Sequence, residues 1–153
     1  EPPEIQIQDL IRHPNRQRIV TQKTDFQTGG RANAWWQARI LDLETCVAAR
    51  HWEGSPVIFN LVLSDPIADF DVEWSGVGGE YVVEIAEESK VRSGLDPALP
   101  TLSASVNALT RMWLGARSAS SLAITDQLTG SSDLLSRLDE AFRLPEPHTG
   151  MYV

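Results

Sequence analysis

Three groups of residues in this sequence are of types that could do chemistry. The first is Gln27-Thr28-Gly29-Gly30-Arg31-Ala32, which fits the Gln/Arg-x-x-Gly-x-Gly/Ala pattern of loops that cradle the pyrophosphate of acetyl-CoA. Such a loop works by converging backbone N–H groups on the phosphates, while a helix that follows adds its N-terminal dipole. Residues 35–41 alternate like a strand instead, so the required helix is missing and the segment reads as a plain loop. The second group is Asp65 with Asp69, Asp71 and Glu73, the last three on one face of an alternating stretch. A cation site needs such oxygens to converge around a bend, and there is no EF-hand loop. The pattern therefore predicts a solvated strand face and no metal. The third group is sparse. His13, His51 and His148 are far apart, form no His-Glu-x-x-His or Cys/His set, and default to surface positions. Cys46, the single cysteine, reads as a small buried hydrophobe on a short helix. No Gly-x-Ser-x-Gly elbow supports hydrolase chemistry, and Ser118-Ala119-Ser120-Ser121 reads as helix capping.

Large aromatic rings are the remaining candidates. Of the five tryptophans, Trp36, Trp74 and Trp113 each fall on an apolar face. With Phe59 and Tyr152 they form the candidate lining of an apolar pocket. Large rings can line a lipid-sized cavity as readily as they fill a core, and the sequence leaves both readings open.

The elements that must position these residues begin after a polar arm. Residues 1–34 are rich in Gln, Arg and Thr and lack a sustained period; they read as a connector to a preceding domain or partner. A domain follows over residues 35–153. Trp36, Ala38 and Ile40 alternate as a strand, and Asp42 is placed to cap a short helix running to about Trp52. Pro56 opens a second strand with Val57, Phe59, Leu61 and Leu63 on one face. Phe70, Val72 and Trp74 predict a third, joined by the Gly76–Gly79 turn to a fourth carrying Tyr81, Val83 and Ile85, as an antiparallel hairpin. Residues 90–100 read as a polar loop and 101–106 as a fifth strand. Three helices close the chain. The first ends at Gly115, the second covers residues 118–125, and the third is capped by Ser131-Ser132-Asp133 and buries Leu134, Leu135, Leu138, Ala141 and Phe142. Strands followed by helices predict an α+β fold: a mainly antiparallel five-stranded sheet with helices packed on one face.

Composition narrows the function. The 153 residues are 42% hydrophobic, enough for one core, and no apolar run is long enough to span a membrane. Glu1-Pro2-Pro3-Glu4 has neither the basic start nor the apolar core of a signal peptide, and the missing initiator Met leads us to expect a fragment or processed chain. A single cysteine suits a cytoplasmic location. Net charge is −8, with +1 in residues 1–52 and −9 in residues 53–153. A surface this acidic repels phosphate backbones, which argues against nucleic-acid binding.

Taken in order, the segments show a family likeness. Trp36-Gln37-Ala38-Arg39-Ile40-Leu41-Asp42-Leu43, then Ala48-Ala49-Arg50-His51-Trp52, resembles the strand-to-helix start of the sterol carrier protein (SCP2)-like domain of enhanced-intracellular-survival (Eis-type) acetyltransferases. Ser105-Val106-Asn107-Ala108-Leu109 to Trp113-Leu114-Gly115-Ala116 is similar to that family's Leu-x-x-x-hydrophobic-Leu-Gly segment. Leu138-Asp139-Glu140-Ala141-Phe142 is similar to its Leu-Asp-x-hydrophobic-Phe. The likeness covers residues 35–153, and the ordered set carries it rather than any one motif.

The resemblance implies an accessory C-terminal domain, preceded in the same polypeptide by acetyltransferase domains that move an acetyl group from acetyl-CoA onto an amine. It implies that this chain alone binds no cofactor and is not catalytic, that the whole enzyme binds acetyl-CoA, and that the protein forms a homo-oligomer. In the family the C-terminal carboxylate acts as general base in the amine pocket; here it belongs to Val153. A carboxylate can hold an ammonium group and accept its proton where burial raises its pKa. The family usually ends in an aromatic residue, whereas here Tyr152 is penultimate. The alternative reading is a free-standing lipid- or sterol-binding carrier.

Overall fold

The computed structural model describes residues 38–70 and 73–144. Asp42 lies in extended backbone and caps α1 (Leu43–Ala48), accepting from the Thr45 N–H at 2.9 Å and its hydroxyl at 2.7 Å. The strand expected over residues 35–41 does not form in its described part: residues 38–40 have no ladder. The Ile40 N–H instead donates to Thr110 Oγ1 at 3.2 Å, which docks this segment on a helix.

β1 (Val57–Ser64) forms as its alternation predicts, with Val57, Phe59, Leu61 and Leu63 all buried. The next expectation fails. No strand forms in the described residues of the stretch 70–74. After β1 the chain makes a 3₁₀ turn, Pro66–Asp69, capped by the Asp65 side chain, and Phe70 is 67% exposed. Period-two patterning was present, but the Asp-Pro step and the positive φ of Gly76 bend the chain around Asp65. The hairpin is therefore a different one. β2 (Gly79–Ile85) pairs with β3 (Lys90–Ser93), inside the stretch expected to be a loop. Its turn is closed by Ser89, whose hydroxyl donates to the Ala86 carbonyl and accepts from the Ala86 N–H, both at 3.1 Å.

β4 (Thr101–Ser105) leads directly into α2 (Val106–Trp113), capped by Ser105. Gly115, at φ +70, closes α2. Its N–H reaches the Met112 carbonyl and the Ala116 N–H reaches that of Arg111, both at 2.9 Å. α3 (Ala119–Thr125), β5 (Leu128–Thr129) and α4 (Ser132–Ala141) follow, with Ser118 and Ser131 as caps. β5 thus interrupts the expected run of helices and adds an Arg111–Asp126 ion pair at 3.0 Å beside it.

Sheet order is β3-β2-β1-β4-β5. Three pairings are antiparallel, but β1 and β4 are parallel, so the sheet is mixed rather than mainly antiparallel. Asn60 accounts for the parallel neighbour. It faces away from the main core yet is only 3% exposed. Its amide donates to the carbonyls of Asp96 (2.8 Å) and Leu99 (3.2 Å) and accepts from the Asp96 N–H (2.8 Å), while its own N–H reaches the Pro100 carbonyl at 2.8 Å. These bonds hold residues 94–100 across the outer face and set β4 down beside β1. On the opposite face, one buried cluster joins Phe59, Leu61, Val83 and Leu102 to side chains from all four described helices, including Val47, Leu109, Leu122 and Leu138. Among the described residues no helix is long and apolar enough to cross a membrane.

Candidate functional site

A buried carboxylate with three hydrogen bonds lies just past the end of β1. The Asp65 side chain is fully buried: Oδ1 accepts from the Ile67 N–H at 3.1 Å and Oδ2 from the Val77 N–H at 3.0 Å. Its carboxylate also pairs with the guanidinium of Arg39, which lies 5.5 Å over the centroid of the Trp74 ring. Burial alone pushes the Asp65 carboxyl upward. The N–H groups of Val77 and Ile67, together with Arg39, outweigh it and hold the pKa below the ordinary carboxylate value. Gly76 lets the chain pass this close, since a Cβ there would sit 2.3 Å from Asp65 Oδ2. The cluster therefore fixes the Gly76-Val77 backbone.

That backbone forms one wall of an open groove of about 450 Å³. Leu41 and Glu44 line a second wall at the start of α1, and Tyr81, Arg92 and Ser93 line the side along β2 and β3. The Tyr81 hydroxyl donates to the Val77 carbonyl at 3.0 Å and so braces the first wall. Asp42, also in the lining, is occupied by its cap. The Thr45 N–H and hydroxyl lower its pKa, which keeps it anionic and a poor proton acceptor. On α1, burial and then the Asp42 charge raise the Cys46 thiol pKa, the wrong direction for a nucleophile. Among the described residues no group of three or more His, Cys, Asp or Glu could hold a metal.

Among the described residues, those singled out from the sequence do not meet in one place. Trp36, Tyr152, Val153 and the Gln27–Ala32 loop lie outside the described residues. Phe59 sits deep in the core at 1% exposure, and Trp74 is 40% exposed under Arg39. Trp113 packs on Phe142 with ring centroids 4.8 Å apart, and Arg50 lies over that same Phe142 ring while donating to the Ala141 carbonyl. Of the acidic series, Asp69 and Glu73 are exposed, Asp65 is buried, and Asp71 lies outside the described residues. Nor do the described residues suit the pyrophosphate of acetyl-CoA. The N-termini of α1, α2, α3 and α4 are each closed by their own cap, Asp42, Ser105, Ser118 or Ser131. Sequence reasoning missed Arg39, Asn60 and Asp65 as structural centres. The signals present were a Pro directly after Asp65 and an amide inside an apolar run.

The described fold recurs in known proteins. It is similar to a protein of Enterococcus faecalis described as a probable N-acyltransferase, at 24% identity and a TM-score of 0.52 over 67% of this chain and 25% of that one. It is also similar to GCN5-related N-acetyltransferases from Kribbella flavida (21% identity, TM-score 0.54, 68% of this chain, 25% of that one) and Anabaena variabilis (18%, 0.58, 71% and 26%). The chain thus spans about a quarter of the length of each. No curated protein matches it. The sterol carrier protein domain matches residues 43–150, from α1 to beyond α4. The chain belongs to the sterol carrier protein domain family.

Proposed function

We propose that this chain is the accessory C-terminal domain of an acetyl-CoA-dependent N-acetyltransferase of the Eis type that acts on amines. One observation carries this reading: three proteins sharing the fold are named as N-acyl- or N-acetyltransferases, and in each the shared part is about a quarter of the polypeptide. The described residues are consistent with it, since Asp42 is engaged in a helix cap, Asp65 in an ion pair with Arg39, and burial raises the Cys46 thiol pKa. On this reading residues 1–34 connect to acetyltransferase domains that bind acetyl-CoA, and the domain shapes the amine pocket within a homo-oligomer. If the native chain ends at Val153, its carboxylate serves as the base.

Immunoblotting the native gene product that carries this sequence tests the proposal. We expect a product about two and a half to three times the 16.9 kDa of this chain, because 67% to 68% of this chain matches 25% of each structural relative. A band near 16.9 kDa overturns it. The whole product is expected to acetylate a primary amine from acetyl-CoA, and this chain alone is not.

A further inference from the structure

We infer that the outer edge of β3 is a docking strand for an extended peptide with acidic residues at alternate positions. The argument starts from the ladder. The Gly94 N–H donates to the Glu80 carbonyl at 2.8 Å, and Val82 faces Arg92 while Glu84 faces Lys90. In an antiparallel pair only alternate residues bond to a given neighbour. Gly94, Arg92 and Lys90 therefore bond inward to β2, and the N–H and C=O groups of Val91 and Ser93 point outward. Among the described residues β3 is the end of the sheet, and no described backbone group pairs with that edge. The groove lies alongside it, lined by Val91, Arg92 and Ser93 on one side and by Leu41 and Glu44 across from them.

Charge selects the occupant. Lys90 and Arg92 are exposed on the sheet face away from the core, where Glu84 stands opposite Lys90 and Asp96 lies 3.8 Å from Arg92 in an exposed ion pair that an incoming carboxylate must compete with. A second copy of this chain is a poor match. Antiparallel self-pairing centred on Val91 sets Lys90 against Arg92, and pairing Val91 with Ser93 sets Arg92 against Arg92; like charges directly opposite are destabilising. A strand with Glu or Asp opposite Lys90 and Arg92 continues the sign alternation begun at Glu84. On the other face the added strand meets Leu41, Asp42 and Glu44 across the groove, so its intervening residues must not be acidic. Main-chain bonds to Val91 and Ser93 then supply affinity, and the two cations supply selectivity. Short, cationic edges also serve in other proteins to keep strands apart. The experiment separates the two roles.

Three synthetic peptides are titrated into the full chain by fluorescence anisotropy: one alternating glutamate with threonine, the same peptide with lysine for glutamate, and an all-glutamate peptide. The alternating acidic peptide is expected to bind best, with amide resonances of Val91 and Ser93 shifting and affinity falling as salt rises. Ser93→Pro removes an outward donor without touching the β2 ladder and should abolish binding at unchanged stability. The double variant Lys90→Glu, Arg92→Glu should weaken the acidic peptide by about five- to tenfold and favour the lysine peptide instead. Equal binding of all three peptides, binding that survives Ser93→Pro, or no binding overturns the inference; the last leaves β3 as a guarded edge.

Discussion

The buried Asp65 carboxylate accepts three hydrogen bonds within the fold, and the consequences of losing it can be worked out from its partners. Asp65→Ala leaves the N–H groups of Ile67 and Val77 without their acceptor and Arg39 without its counter-charge. The expected cost is about 3 kcal/mol, read by urea denaturation. The sign of the pH dependence follows from a lowered pKa in the folded state. Stability from this group is fully present above the unfolded value of about 3.9 and is lost as pH falls through the lower folded value. Acid denaturation should therefore steepen below about pH 4, and Asp65→Asn should flatten that limb. An acid limb unchanged by Asp65→Asn would mean that the folded state does not lower the pKa of this carboxyl. At this scale the sequence was half legible. Asp65 followed by Pro66 marks a turn, because both residue types favour it locally. Its ion pair with Arg39, 26 positions earlier, depends on tertiary placement that no local pattern encodes.

Caps and apolar stripes act within a few residues, which is why α2, α3 and α4 lie close to where the sequence places them and α1 starts after its Asp42 cap, although it ends at Ala48 rather than near Trp52. Gly115 is the sharpest instance. Its φ of +70 suits glycine alone, and a Cβ there would sit 2.6 Å from Leu144 Cβ. Gly115→Ala is expected to lower stability by about 1–2 kcal/mol in thermal denaturation, through the strained cap rather than any lost contact. Strand pairing was harder to read. Alternation makes residues 70–74 read as the hairpin partner of β2, whereas the strand that pairs there, β3, lies in a stretch that reads as a polar loop. The parallel β1–β4 pairing rests on Asn60, an amide that merely looked like an interruption of an apolar run. Asn60→Ala should leave the Asp96 N–H and the Asp96 and Leu99 carbonyls unmatched under the connection, at a cost of about 2 kcal/mol. If Asn60 seats β4 as the geometry indicates, hydrogen exchange should quicken in β4 and residues 94–100 before the β2–β3 hairpin. Uniform loss of protection would make Asn60 a general core residue instead.

At the scale of the whole molecule, the space between sheet and helices separates an accessory domain from a lipid carrier. A void wide enough to admit water beside a side chain leaves part of its surface accessible. Phe59, Leu61 and Leu102 on the sheet, and Leu109, Met112, Leu122 and Leu138 on the helices, are all 1% exposed or less. Among the described residues, these opposed side chains leave no water-accessible gap beside them. Carrying an acyl chain here would require prising the helices from the sheet and exposing much of that surface; burying one such side chain contributes about 2 kcal/mol. The groove beside β3 offers no substitute, because charged and hydroxyl groups, Glu44, Arg92 and Ser93, share its lining with Leu41 and Val77. A fluorescent fatty-acid analogue titrated into the chain is therefore expected to show no saturable uptake in the low-micromolar range. Saturable uptake, accompanied by faster hydrogen exchange in α2 and α4, would mean that the helices part from the sheet in solution and would restore the carrier reading.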